Sequence, residues 1–228
     1  MKLFTLLFFF ISISMMAETD FEKAEKLYQQ EKWEQAKTLF ENFLKQNPNN
    51  PKTIEYLGDI AGHQKKWDEA LKYYGALKTQ FSKNANYCYK WAGSLGMKAK
   101  ESNKFRALSM LDDVENGFLT AAKLDANHID SRWALVVYYM EVPGILGGSE
   151  RKALKYSAEL TKISSVDGLL SKGYIAEYNK NYKEAEKNYS AAYEIGKSAT
   201  TYQKLYNLYF NKLKDKAKAQ KLKAQFEM

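Results

Sequence analysis

The chain has 228 residues, 45% of them hydrophobic and 27% charged, with a formal net charge of +8. That apolar share can fill a buried core and excludes a disordered tail, while 3 Pro and 12 Gly are too few breakers for the many turns of a sheet-rich fold. An all-α protein is expected.

The chain opens with "MKLFTLLFFFISISMMA", in which Lys2 precedes an apolar run from Leu3 to Met16 and the first acidic residue is Glu18. This is the layout of a secretory signal peptide, residues 1–17, cleaved after Ala17. The run is shorter than the roughly 20 residues that a membrane-crossing helix requires, so no stable membrane span is expected after cleavage. The mature protein is then exported, to the periplasm or outside the cell. Cys88, the one cysteine, excludes an intrachain disulfide and is expected as a buried thiol.

From residue 18 onward the pattern repeats. "EKWEQAKTLFENFLKQNP" is echoed by "KKWDEALKYYGALKTQFS": Trp33 and Trp67 lie 34 residues apart, and the same offset relates Ala36 to Ala70, Phe40 to Tyr74 and Phe43 to Leu77. A third copy, "KNYKEAEKNYSAAYEIG", sets Tyr182, Ala185, Tyr189 and Ala192 at the same internal spacings. Steps of three, four and three place small and large apolar residues on one stripe of a helix. The alanine lets a second helix approach closely. An amphipathic helix precedes each stripe, with Gly58 in "YLGDIAG" a close-packing point between paired helices.

These residues resemble the tetratricopeptide repeat, a 34-residue helix–turn–helix unit. The likeness is carried by Leu57, Gly58, Trp67, Ala70, Tyr74 and Leu77, by Trp33, Ala36, Phe40, Phe43 and Pro48 before them, and by Gly173, Tyr182, Ala185, Tyr189 and Ala192 later. The resemblance implies an all-α, α-α superhelix of about six helix pairs, a tetratricopeptide-like solenoid of a small exported bacterial kind. The single repeat domain, 18–228, divides into pairs near 18–48, 51–82, 84–125, 128–164, 167–196 and 199–226.

The register is also interrupted. Trp67 to Tyr182 spans 115 residues, 13 more than three periods. About ten fall near "KESNKFRALSM", as a lengthened turn and helix, and five fall in "PGILGGS"; a shortening of two near "TKISSVDG" closes the account. The lysine-rich end, Lys212 to Lys223, reads as the solvated face of a last helix that forms a polar end cap. No nucleic-acid partner is expected from it.

"PGILGGS" lacks the lysine and preceding strand of a P-loop, and Ser149 lacks the flanks of a nucleophile elbow. Pro143 ends a helix, the glycines supply the turn, and Ser149 caps the helix that starts at Glu150. A weak anion seat at Gly147, Gly148, Ser149 and Arg151 is the functional variant of that turn. His63, His128 and Cys88 have no ligand-like spacing, and Glu55 with Asp59 reads as a solvated acidic patch. No catalytic, cofactor or metal site is expected, and the protein is read as non-enzymatic.

In the family the resemblance suggests, the first helix of each pair lines a concave groove that takes extended peptides or short helices. Transferred to this chain, the groove residues are Tyr28, Glu55, Asp59, His63, Tyr89, Met97, Trp133, Val137, Met140, Tyr174 and Tyr178, with Phe21, Gln29, Gly93 and Leu170 beside them. An aromatic and methionine-rich trough in mid-chain is the expectation. A protein or peptide partner follows from it; a small-molecule or lipid-like ligand held by the same groove is the alternative, and homo-oligomerisation through it a further outcome.

Overall fold

The computed structural model describes residues 19–227, so the expected signal segment, 1–17, lies outside the described residues. Helices follow one another in antiparallel pairs: α1 (Asp20–Gln29) with α2 (Trp33–Gln46), α3 (Pro51–His63) with α4 (Trp67–Gln80), and α5 (Ala85–Glu101) with α7 (Leu111–Leu124), the short α6 (Lys104–Leu108) lying between these last two. Then come α8 (Ile129–Glu141) with α9 (Glu150–Ile163), α10 (Ser165–Tyr178) with α11 (Tyr182–Gly196), and α12 (Ala199–Asn207) with α13 (Lys216–Phe226). The result is an all-α, tetratricopeptide-like solenoid.

Side chains at the inter-pair turns start the helices. Thr19 accepts from the Glu22 amide at 3.2 Å while the Glu22 carboxylate accepts from the Thr19 amide at 2.8 Å. Asn50 caps α3, with Pro51 preset for the first helical position, and Asn84 caps α5. Ser164 closes α9 and caps α10. That double use is the two-residue shortening.

The turns inside three pairs share one geometry. Glu31, Lys65 and Lys180 sit at φ 58°, 57° and 59°, and the next amide in each turn donates back across the helix end: Lys32 to the Leu27 carbonyl at 2.9 Å, Lys66 to Ala61 at 2.8 Å and Asn181 to Ala176 at 2.8 Å. A side chain in the left-handed region costs about 1–2 kcal/mol. Glycine removes that cost but adds about 0.5–1 kcal/mol of unfolded-state entropy. Lys65→Gly should therefore stabilise the protein by about 0.5 kcal/mol in urea titration; a lower midpoint would contradict this turn.

Inside each pair the small-against-large rule works by contact. The ring of Tyr74 packs over Gly58, where an added Cβ would stand 2.8 Å from it, and the ring of Tyr189 packs over Gly173, where the distance would be 2.3 Å. Ala36, Ala70 and Ala185 are fully buried, as the repeat stripe requires. Cys88 is buried among α5 and α7 residues, and burial pushes its thiol pKa up.

Surplus residues enter where the register breaks. The helix α5 runs 17 residues against 13 in α3, and α6 follows it. Between α8 and α9 the chain makes a 3-10 turn over Gly144–Leu146, then Gly147 at φ 101°. Gly148 is forced by space: a Cβ there would meet the Val142 carbonyl oxygen at 1.7 Å. Only glycine passes that point.

The core runs along the rod as successive clusters, the largest joining α5, α7, α8, α9 and α10 through Leu95, Phe118, Leu135, Tyr139, Leu160 and Ile175. Arg132, 6% exposed, is threaded through it: its guanidinium donates to the carbonyls of Ala122, Asp125 and His128 at 3.1–3.2 Å and to Glu159 at 3.1 Å. It satisfies the free end of α7 and fixes α8 and α9 to it. At the far end α13 turns Lys216, Lys218, Lys221 and Lys223 to solvent, the expected polar face, and buries only Ala219 and Leu222. A π-helical turn, Leu208–Leu213, follows α12, and Tyr202 stacks on Phe226 at 4.2 Å while Tyr206 stacks on Phe210 at 5.7 Å, so aromatic rings accompany the lysines there.

Candidate ligand-binding trough

On the inner side of the middle pairs lies a trough of about 1150 Å³. Its floor comes from first helices: Asp59 and His63 of α3, Tyr89, Lys90, Gly93 and Met97 of α5, Trp133, Ala134 and Val137 of α8. Its walls come from the two insertions, with Lys104, Ala107 and Leu108 of α6 on one side and Val142, Pro143 and Leu146 of the α8–α9 turn on the other. The two breaks in the repeat thus converge on one place. Gly93 leaves the floor open, because nothing lies within 4 Å of a Cβ built there.

Seven of the expected residues line this trough: Asp59, His63, Tyr89, Gly93, Met97, Trp133 and Val137. Others lie elsewhere. Tyr28 packs on Trp33, Tyr56 and His63, toward the N-terminal end. Tyr174 and Tyr178 extend an aromatic strip from Trp133, with ring centroids 6.5 and 6.3 Å apart in turn. Met140 and Leu170 are core residues, 8% and 5% exposed. Packing against α9 and α11 claims them, so neither faces a ligand.

The acidic patch is corrected too. Lys90 reaches back from α5 to Glu55 at 2.7 Å and to both oxygens of Asp59 at 2.8 and 2.9 Å, and the Tyr74 hydroxyl donates to Asp59 as well. Glu55 also accepts from Asn86 at 3.1 Å and Tyr87 at 3.4 Å. The two carboxylates form an inter-repeat ion cluster, not a bare surface. Across the far rim Lys100 pairs with Glu141 at 2.5 Å.

Nor does the glycine turn offer amides to an anion. The N–H groups of Gly147, Gly148 and Ser149 donate to the carbonyls of Gly144, Pro143 and Tyr139 at 3.2, 3.2 and 2.9 Å. The Ser149 hydroxyl accepts from the Lys152 amide at 3.3 Å. Turn and cap consume the proposed seat, leaving Arg151 without it. Among the described residues no group of three or more His, Cys, Asp and Glu is placed to hold a metal, and no helix is long and apolar enough to cross a membrane.

Tyrosines bind the stack through carboxylates. Tyr139 donates to Glu115 at 2.5 Å and Tyr189 to Glu177 at 3.0 Å, and desolvation followed by the neighbouring carboxylate holds both phenols well above their ordinary range. Burial first, and carboxylates second, push Tyr28, Tyr56 and Tyr138 up to about 12. A phenol whose folded pKa exceeds its unfolded value of 10.0 contributes stability in full below pH 10.0 and loses it as pH rises through the folded value. Melting temperature should therefore stay level from neutrality to about pH 9.5 and fall between about pH 10 and 12, together with tyrosinate absorbance. Normal phenol titration in the folded protein would contradict these contacts.

A stack of consecutive helix pairs with a trough lined by α3, α5 and α8 defines a helical-repeat fold. Residues 21–85 match the family model described as Tetratricopeptide repeat, and over the rest of its length the chain shares the fold of solved tetratricopeptide repeat proteins. It is similar in fold to a thermophilic TPR protein of Thermus thermophilus, at 16% identity and a TM-score of 0.69 over 84% of this chain and 97% of that one. A tetratricopeptide repeat protein from Parabacteroides merdae matches at 18% identity and a TM-score of 0.58, over 89% and 75% of the two chains. YrrB, a TPR protein described with an unusual peptide-binding site, matches at 15% identity and a TM-score of 0.50, over 80% and 87%. No curated protein sequence matches the chain.

Proposed function

We propose that the protein is a non-enzymatic binding module, exported to the periplasm or beyond, that holds a segment of another protein in the trough between α6 and the 143–148 turn. The observation that carries this reading is the convergence of both repeat insertions on one apolar trough whose volume, about 1150 Å³, exceeds the roughly 300–1,000 Å³ of ordinary small-molecule sites. Room of that size suits several side chains of a polypeptide. The match of residues 21–85 to the tetratricopeptide model supports the same class, since such repeats commonly mediate contacts between proteins, and YrrB, similar in fold, is described with a peptide-binding site. A rigid stack holds Tyr89, Met97, Trp133 and Val137 in place before binding, which lowers the entropy lost on association.

The second reading is a small-molecule or lipid-like carrier, favoured by the predominantly apolar lining of the same trough. Native mass spectrometry of the protein isolated from its own cell envelope separates the two. A bound polypeptide is expected; a co-purified small molecule filling the site stoichiometrically would overturn the protein-binding reading.

A further inference from the structure

Six charged residues line the trough, three of each sign: Lys90, Lys100 and Lys104 against Asp59, Asp130 and Glu141. Four of them neutralise one another, Lys90 on Asp59 at 2.8 Å and Lys100 on Glu141 at 2.5 Å. Lys104 and Asp130 are left over. Both are exposed, and among the described residues neither side chain takes part in a hydrogen bond or an ion pair.

These two stand at opposite ends of the trough. The Lys100–Glu141 pair ties the last turns of α5 and α8 together, so the two helices run side by side in the same direction. Lys104 opens α6 on the lip just beyond the end of α5, whereas Asp130 lies in the first turn of α8. From Asp130 to Glu141 the helix α8 rises about 16 Å. Met97 and Val137 line the stretch between, and Gly93 keeps it open.

The Asp130 end is built for a cation. Trp133, three residues on and so on the same face of α8, lines the trough beside it, as does Tyr89 of α5. The Trp133 ring is held in place by its Nε1–H, which donates to Asp167 at 2.9 Å. The Tyr89 hydroxyl has no hydrogen bond among the described residues, and burial first, then Asp130, push its pKa up. A lysine or arginine head on Asp130 would therefore meet a carboxylate, a phenolic oxygen and two aromatic rings together. The place of Asp130 in the first turn of α8 also suits the helix dipole, a role that Asp113 fills in α7 without lining the trough.

We propose that the partner segment is bipolar: a basic side chain on Asp130, Tyr89 and Trp133, an apolar run along the floor, and an acidic side chain on Lys104. This rests on the protein-binding reading and adds the partner's charge pattern and the direction in which it lies. A segment with one sign of charge at both ends satisfies only one of the two unpaired residues and is repelled by the other.

The test uses fluorescent peptides with blocked termini and an apolar run of about five residues, the extended span, or about eleven, the helical one. Four end patterns are compared: lysine first and glutamate last, the reverse order, lysine at both ends and glutamate at both ends. One bipolar order is expected to bind at least about fivefold more tightly than either single-sign peptide, and its affinity should fall with added salt. Asp130→Lys should shift the preference to the glutamate peptide and Lys104→Glu to the lysine peptide. The two changes together should restore a bipolar preference in the opposite order, because the segment then lies end for end. Asp130→Asn should weaken the bipolar peptide several-fold, whereas Asp113→Asn, which removes a helix-end charge away from the trough, should leave it unchanged. All three positions are exposed, and circular dichroism checks the fold of each variant. Equal binding of all four patterns, or a preference that survives the double charge reversal, with binding lost on Gly93→Trp in either case, would overturn the charge pattern and leave the protein-binding reading standing. Saturation of the trough by dodecanoate with no peptide bound would overturn both.

Discussion

Gly173→Ala should destabilise the protein by about 2 kcal/mol, although alanine is the better helix former by about 1 kcal/mol. The reason is position. The new methyl would stand 2.3 Å from the ring of Tyr189, which is fully buried and tethered through its hydroxyl to Glu177 at 3.0 Å, so the ring has nowhere to retreat. Overpacking of a pinned side chain lies at the upper end of the roughly 1–3 kcal/mol range and outweighs the propensity gain. Gly75, equally mid-helical in α4, supplies the control: its added Cβ would meet only the Trp91 ring at 3.7 Å, an ordinary contact, so Gly75→Ala should raise stability by up to about 1 kcal/mol. Opposite signs at two helical glycines, measured by urea denaturation, test the stacking directly; a stabilising Gly173→Ala would mean that the pair α10–α11 packs otherwise.

Gly93→Trp should abolish ligand binding, with a loss of at least about a hundredfold, while leaving the melting temperature unchanged or higher. Gly93 lies in the middle of α5 on the trough floor, and no atom lies within 4 Å of a Cβ built there. The indole would fill the space that a partner's apolar groups require, and a hundredfold loss is about 2.7 kcal/mol, the burial of roughly one large side chain. The amount of co-purified envelope polypeptide on the variant and on the unaltered protein, compared by native mass spectrometry, gives the result. Undiminished binding would place the ligand elsewhere.

The repeat period made the architecture legible in the sequence: Trp33 with Trp67, Ala36 with Ala70 and Phe40 with Tyr74 fix both helix length and pairing. The broken register also marks α6 and the glycine turn in the sequence itself. Tertiary relations were not legible. Lys90 neutralises Glu55 and Asp59 from 35 and 31 residues away, a distance at which sequence gives no pairing signal. Met140 could not be separated from the lining because α8 has no polar residue from Trp133 to Met140, beyond its tyrosines, to mark its faces, and periodicity without contrast carries no phase. Leu108, Val142 and Leu146 were missed because insertions have no place in a repeat register, yet they form the walls. One signal was available: both insertions fall at the ends of first-helix segments, on neighbouring pairs.

The central claim is that these insertions build the binding surface. Site-specific photo-crosslinking in the native cell envelope tests it most directly, with the photoreactive residue placed at Leu108 on the α6 lip or at Leu154 on α9, exposed 44% and 47% and therefore equally accessible. A protein adduct at Leu108 that is absent at Leu154, and lost on Gly93→Trp, is the predicted result. Adducts at Leu154 with none at Leu108 would contradict it.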